Sequence, residues 1–161
     1  FNRARATEIE KAFRRMGDLI RQIRDFRETK LQTSDIADLS QELIEFTTSA
    51  NSNPDEIPIQ CVFDREERLF VRIQKIRFYR ILDNLVRNAR EATPRTGTIS
   101  VSLNRTADHA VLIVQDSGSG IADSTKDKIF DVDFTTKPGV GTGLGLGIVK
   151  RICDECGARI V

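Results

Sequence analysis

The run Gly141-Thr142-Gly143-Leu144-Gly145-Leu146-Gly147 places a glycine at every second position and leads straight into the apolar-periodic segment Ile148-Val149-Lys150-Arg151-Ile152. Glycines so spaced let a backbone come close to an anion and present its N–H groups, and a helix that follows aims its positive dipole end at the same place. This is the pattern of a phosphate cradle; a plain glycine-rich turn would share its composition. It matches neither the G-x-x-x-x-G-K-S/T loop nor the opening of a strand-led βαβ unit. Other residues must therefore complete a nucleotide site.

Three further segments carry suitable chemistry. On a helical stretch from Lys75 to Ala92, Asp83, Asn84, Arg87, Asn88 and Glu91 recur at three- and four-residue steps, which puts Asn84 and Asn88 on one face a turn apart. Two carboxamides there can offer oxygen to a hard cation that keeps most of its water and bridges phosphate oxygens; alternatively they are two solvated helix asparagines. Asp116-Ser117-Gly118-Ser119-Gly120-Ile121 follows directly on a strand. Its carboxylate only accepts hydrogen bonds and so suits the exocyclic amino group of adenine, while Gly118 and Gly120 leave room for a flat base, although such turns are common. Finally, Phe134-Thr135-Thr136-Lys137 precedes the glycine run, and Lys137 can reach a terminal phosphate as a point charge or remain an exposed loop lysine.

The elements that must position these residues are legible as patterns. Ile9, Phe13, Met16, Ile20 and Ile23 alternate steps of four and three, a heptad seam on a helix from about Thr7 to Lys30 that predicts pairing with another helix. Gln32 to Asp38 reads as a polar connector. Asp38 or Ser40 caps a helix from Gln41 to about Ala50 whose Leu43, Ile44 and Phe46 face inward. Ile57 to Phe63 and Leu69 to Ile73 alternate about the charged turn Asp64-Arg65-Glu66-Glu67 and predict an antiparallel hairpin. Ile76, Tyr79, Leu82, Val86 and Ala89 give the Lys75 to Ala92 helix its apolar stripe, closed by Pro94 and Gly97. Thr98 to Leu103 and Ala110 to Gln115 predict a second strand pair, Asp123 to Ile129 a short helix, and Phe130 to Val140 a loop. Leu144 to Cys156 is the helix behind the glycine run, capped by Gly157, with Ala158 to Val161 beginning a strand. Without a βαβ alternation, the expected fold is α+β, one layer of helices on a mostly antiparallel sheet.

Composition sets the frame. A chain of 161 residues with 39% apolar content can bury a core, and a net charge of +1 argues against a general nucleic-acid or membrane-surface role. No apolar run reaches the ~18 residues of a membrane span, and Phe1-Asn2-Arg3 lacks a signal peptide's apolar core, so a cytoplasmic location is expected. Cys61, Cys153 and Cys156 are too few for a disulfide framework; the C-x-x-C spacing of the last two has no second half at metal-ligand spacing and reads as helix packing.

Taken in order and spacing, Asn84-Leu85-Val86-Arg87-Asn88-Ala89, Asp116 to Ile121, Ile129-Phe130 with Phe134-Thr135-Thr136-Lys137, and Gly141 to Gly147 resemble the four boxes of the sensor histidine kinase ATP-binding domain. That domain belongs to a superfamily that includes DNA gyrase B, the MutL mismatch-repair ATPases and a heat-shock chaperone ATPase. The resemblance covers roughly Leu39 to Val161, and Asn88-Ala89-Arg90-Glu91-Ala92 with Pro94 and Gly97 is similar to the nitrogen-regulatory branch. It implies a two-layer α/β sandwich on a mixed, mostly antiparallel sheet at 35–161, preceded at 1–34 by the second helix of a dimerisation and phosphoacceptor hairpin. By this resemblance Asn88 coordinates Mg²⁺ and Asn84 supports metal and phosphates. Asp116 binds the adenine amino group, beside Gly118, Gly120 and Ile121. Phe130 and Phe134 anchor a lid that carries Thr136 and Lys137, and Lys137 meets the γ-phosphate. Gly141, Thr142, Gly143, Leu144 and Gly145 close over the triphosphate.

The implied activity is a protein-histidine kinase that uses ATP, acts as a homodimer through Thr7 to Lys30 and relays phosphate to a response regulator receiver domain. Three departures accompany it. Val132 and Asp133 stand where the family usually has proline and phenylalanine, the last glycine box and final strands do not follow before Val161, and no phosphoacceptor box is visible. His109, the single histidine, precedes Ala110 rather than an acidic residue and falls in a predicted turn. This stretch alone is therefore expected not to autophosphorylate. The alternatives are a nucleotide-binding interaction module without phosphotransfer, and a gyrase- or MutL-type ATPase, which would need a glutamate base where this chain has Asn84.

Overall fold

A computed structural model of the chain describes residues 16–17, 20, 36–63, 67–131, 134 and 143–161. Of the predicted seam, Met16 and Ile20 are helical and exposed; Ile9, Phe13 and Ile23 lie outside the described residues. The elements run β1 (Ile36–Asp38), α1 (Leu39–Ala50), β2 (Ile59–Val62), β3 (Phe70–Arg72), α2 (Lys75–Ala92), β4 (Ile99–Arg105), β5 (Ala110–Asp116), a 3-10 helix (Asp123–Lys128) and α3 (Gly145–Cys156).

Asp38 starts α1, its Oδ1 accepting from the N–H groups of Ser40 at 3.2 Å and Gln41 at 3.4 Å, so two of the four N-terminal donors are satisfied. Burial works against ionisation of this carboxyl, but the paired Arg68 guanidinium and the two N–H groups outweigh it and hold the carboxyl below the ordinary aspartate range. Leu43 and Phe46 face inward as expected and Ile44 is half-buried. Phe46 meets Tyr79 edge to face at 5.7 Å, which joins α1 to α2.

α2 has the predicted bounds, and Leu82, Val86 and Ala89 are buried as expected, joined by Phe78 and Ile81, while Tyr79 is half-buried and Ile76 is exposed. The reason is Arg77, 1% exposed, which takes the inward position in the first turn. Its Nη1 meets Glu155 Oε2 at 2.9 Å and its Nε donates to Gln74 Oε1 at 3.3 Å, so the start of α2 is clamped to the end of α3.

Two strand expectations are overturned. The Ile57 to Phe63 and Leu69 to Ile73 segments do not form a hairpin. β2 runs parallel to β4 with Ile59 opposite Ile99, whereas β3 pairs antiparallel with β1, Ile36 opposite Arg72. An alternating pattern says that a strand has one buried face, not which strand lies beside it. Ile59 finds its burial next to Ile99, under the helices. Correspondingly, part of the polar connector is strand β1. Ala158 to Val161 has no strand pairing; the chain there leaves Gly157, at φ 71°, with Ala158 N–H donating to Cys153 carbonyl at 2.8 Å in a helix-ending turn.

The larger sheet has order β2-β4-β5, with β4 and β5 antiparallel from Ile99 opposite Asp116 to Arg105 opposite Ala110. Ile99, Val101 and Leu103 of β4 point to the helical side and are at most 3% exposed, and Leu82, Val149 and Ile152 cover them from α2 and α3. This is the expected layer of helices on a mixed, mostly antiparallel set of strands.

Candidate functional site

Register places the carboxylate. Asp116 ends β5, paired with the first residue of β4, so its side chain is held where the sheet stops. The turn beyond is clamped twice: Ser117 N–H donates to Thr98 carbonyl at 3.1 Å, and Thr98 N–H donates to Ser117 Oγ at 2.8 Å. Asp116 Oδ1 accepts from Gly118 N–H at 2.8 Å, and Oδ2 has no partner among the described residues. Gly118 is glycine for a reason the sequence reading did not give: a Cβ there would lie 2.5 Å from the carbonyl oxygen of Ala92 at the end of α2. Gly120 has a left-handed φ of 71° and open space around it.

The two asparagines of α2 differ. Asn88 is half-buried and lines the cavity that Asp116 also lines. Asn84 is 6% exposed and its carboxamide is engaged on both sides: Nδ2 donates to Arg80 carbonyl at 2.8 Å, and Oδ1 accepts from Arg87 Nη2 at 2.8 Å. α3 begins beside them. A Cβ on Gly145 would come within 3.1 Å of Asn84 Oδ1 and 3.3 Å of Arg87 Nη2, so a glycine there lets the helix start close against α2. No side chain of the described residues caps α3, and its first turn presents its N–H groups at this point. Leu144 is the residue before that turn, and Gly143, at φ 68°, lines the cavity.

The cavity measures about 2050 Å³. A small-molecule pocket is typically ~300–1,000 Å³; this one is larger because it continues from the site along β5 to Ala158–Val161. Asn88, Asp116, Gly120, Phe130, Gly143 and Gly145 share its lining. Ile121, Phe134 and Thr125 line it too; nothing in the sequence marks Thr125, which lies in the 3-10 helix. Thr136, Lys137, Gly141 and Thr142, like Val132 and Asp133, lie outside the described residues. Asn88 as a single carboxamide fits a cation that takes its other ligands from water and phosphate, the habit of Mg²⁺. No group of three His, Cys, Asp or Glu able to hold a metal occurs among the described residues. Cys153 is buried in the core, where desolvation first, then Cys156 and Asp154, push its thiol up and away from the reactive thiolate. His109 sits exposed in the β4–β5 turn, its carbonyl accepting from Thr106 N–H at 2.8 Å.

Known proteins resemble this chain in sequence and fold. A sequence model of the family described as histidine kinase-, DNA gyrase B-, and HSP90-like ATPase matches residues 73–161. Among curated relatives, the sensor histidine kinase ZraS of Salmonella typhimurium is 40% identical over 104 residues, covering 63% of this chain and 22% of the relative. Sporulation kinase C of Bacillus subtilis is 31% identical over 119 residues, 73% of this chain and 28% of the relative. The chain thus spans about a quarter of the length of these relatives. Among solved structures, the catalytic domain of histidine kinase ThkA superposes with a TM-score of 0.66 at 31% identity, covering 79% of this chain and 87% of that one. ThkA in complex with the response regulator protein TrrA gives a TM-score of 0.75 at 24% identity over 97% of this chain and 45% of that one, a likeness of fold. The chain therefore belongs to the histidine kinase-, DNA gyrase B- and HSP90-like ATPase family, as an ATP-binding catalytic domain of the histidine kinase type.

Proposed function

We propose that this domain binds Mg·ATP and presents the γ-phosphate to a histidine outside the 161 residues, for relay to a response regulator. The observation that supports the reading is that Asn88, Asp116 and Gly145, at the start of α3, line one cavity. In this role Asp116 Oδ2 accepts from the adenine amino group while Oδ1 stays fixed by Gly118 N–H. Asn88 holds the cation, and the first N–H groups of α3 face the phosphates. Bound Mg²⁺ would supply charge neutralisation on the phosphate oxygens. Positioning and charge do the rest; Lys137 adds a cation at the terminal phosphate and Phe130 and Phe134 anchor a lid that keeps water from competing with the acceptor.

Pairing of two copies through Thr7 to Lys30 and docking of a receiver domain belong to the same proposal; the latter is supported by ThkA, solved with its response regulator protein. No helix among the described residues is long and apolar enough to cross a membrane. The test is radiolabelled ATP given to the longer protein. Acid-labile, alkali-stable phosphohistidine is expected. Nucleotide binding without any such label would leave an interaction module, and rapid steady-state hydrolysis by the domain alone would indicate an ATPase instead.

A further inference from the structure

Asn84 carries a polar side chain into the packed junction of α2 and α3, and the way it is satisfied says what it is for. Its Nδ2 donates to Arg80 carbonyl at 2.8 Å, which fixes the amide so that Oδ1, not the N–H side, faces Arg87 Nη2 at 2.8 Å. The reverse orientation would set two donors against each other. With both ends of its carboxamide spent inside the protein and 6% of its surface exposed, Asn84 is poorly placed to hold a metal.

Arg87, by contrast, is a half-buried cation without a carboxylate partner among the described residues. Burying a guanidinium without a counter-charge is costly, so a site that holds one in place is suited to an anion that arrives from outside. Its Nη2 lies 3.3 Å from where a Cβ of Gly145 would be, at the start of α3, whose first N–H groups have no side-chain cap. Arg87, Asn88, Gly143 and Gly145 line the same cavity as Asp116. A positive helix end and a guanidinium side by side make a site for phosphate oxygens, which the planar fork of arginine can meet with two donors.

We propose that Arg87 is a phosphate-contacting residue of the nucleotide site and that Asn84 is the positioning residue that holds its guanidinium against the start of α3. This rests on the Mg·ATP reading and deepens it: Asn84 acts on the phosphates through Arg87 rather than through the cation.

The test is calorimetric titration of the 161-residue chain with Mg·ATP, Mg·ADP and AMP. Arg87→Met is expected to weaken ATP binding about 10- to 100-fold, the span of a charge-assisted hydrogen bond, and AMP binding far less. Arg87→Lys keeps the charge and loses the fork, so it should recover part of the loss while leaving the thermal midpoint unchanged. Asn84→Ala should weaken ATP by several-fold and add nothing further in the Arg87→Met background. ATP binding by the unmodified chain together with equal affinity in Arg87→Met and Arg87→Lys would overturn the proposal alone, as would an equal loss for ATP and AMP. No ATP binding by the unmodified chain would overturn the nucleotide reading beneath it.

Discussion

Gly118 shows how tightly the turn after β5 is tied to the helix behind it. A methyl group there would meet the Ala92 carbonyl oxygen at 2.5 Å and its carbon at 2.7 Å, and both are backbone atoms that cannot swing aside. Gly118→Ala is therefore expected to lower stability by about 1–3 kcal/mol, the usual cost of overpacking, and thermal unfolding will read it directly. The neighbouring Asp116 is exposed and spends only Oδ1 on the fold. Asp116→Asn, which replaces acceptor capacity with a donor, should leave the melting midpoint nearly unchanged while weakening ATP binding and narrowing its preference over GTP. Unaltered affinity for both nucleotides would remove Asp116 from the base-binding role.

At the scale of elements, α1 and the α2–α3 pair each depend on a charged side chain that can be tested singly. Asp38→Ala removes the cap of α1 and its ion pair with Arg68, and a loss of about 1 kcal/mol is expected at neutral pH. The carboxyl is held below its ordinary value in the folded protein. Its contribution is thus complete above the unfolded value of about 3.9 and disappears as pH falls through the lower folded value. Urea titrations of both proteins at pH 7 and pH 3 should show the gap closing in acid. For the helix pair, Glu155→Ala leaves the Arg77 guanidinium buried at 1% exposure without its carboxylate, a change expected to cost about 3 kcal/mol. Arg77→Met in that background should restore part of the loss, since an apolar chain suits the site better than an unpaired charge. A double-mutant cycle by denaturant unfolding measures both.

For the whole molecule, the cavity wall draws on α2, the end of β5, the 3-10 helix and the start of α3. A nucleotide that bridges such separate segments binds the folded state and not the unfolded chain. At a concentration about 100 times its dissociation constant, Mg·ATP should then add about 2.7 kcal/mol of stability, visible as a rise of roughly 5–10 °C in the thermal midpoint. Chelating the metal should reverse most of that rise if, as proposed, Asn88 offers a single oxygen to a cation that binds jointly with the phosphates. A midpoint indifferent to nucleotide would count against the site as assembled here.

Local chemistry was written in the sequence wherever the cause was local. The bounds of α2 follow from its 3.6-residue period, the end of α3 from a glycine in the left-handed region, and the β4–β5 pair from two alternating runs joined by a short polar turn. The four motifs were legible as residue types suited to phosphate, cation and base. Which strands pair was not legible: Ile57 to Phe63 and Leu69 to Ile73 look like a hairpin in one dimension, yet burial of Ile59 under the helices sends the two into different sheets. The tertiary structure alone decided that Arg77 displaces Ile76 from the core, that Gly118 is glycine because of Ala92, and that Asn84 faces Arg87 instead of solvent. The physical reason is the same in each case. A residue's type limits the partners it can satisfy, but the partner it takes is set by which distant segment packing brings within a few ångströms.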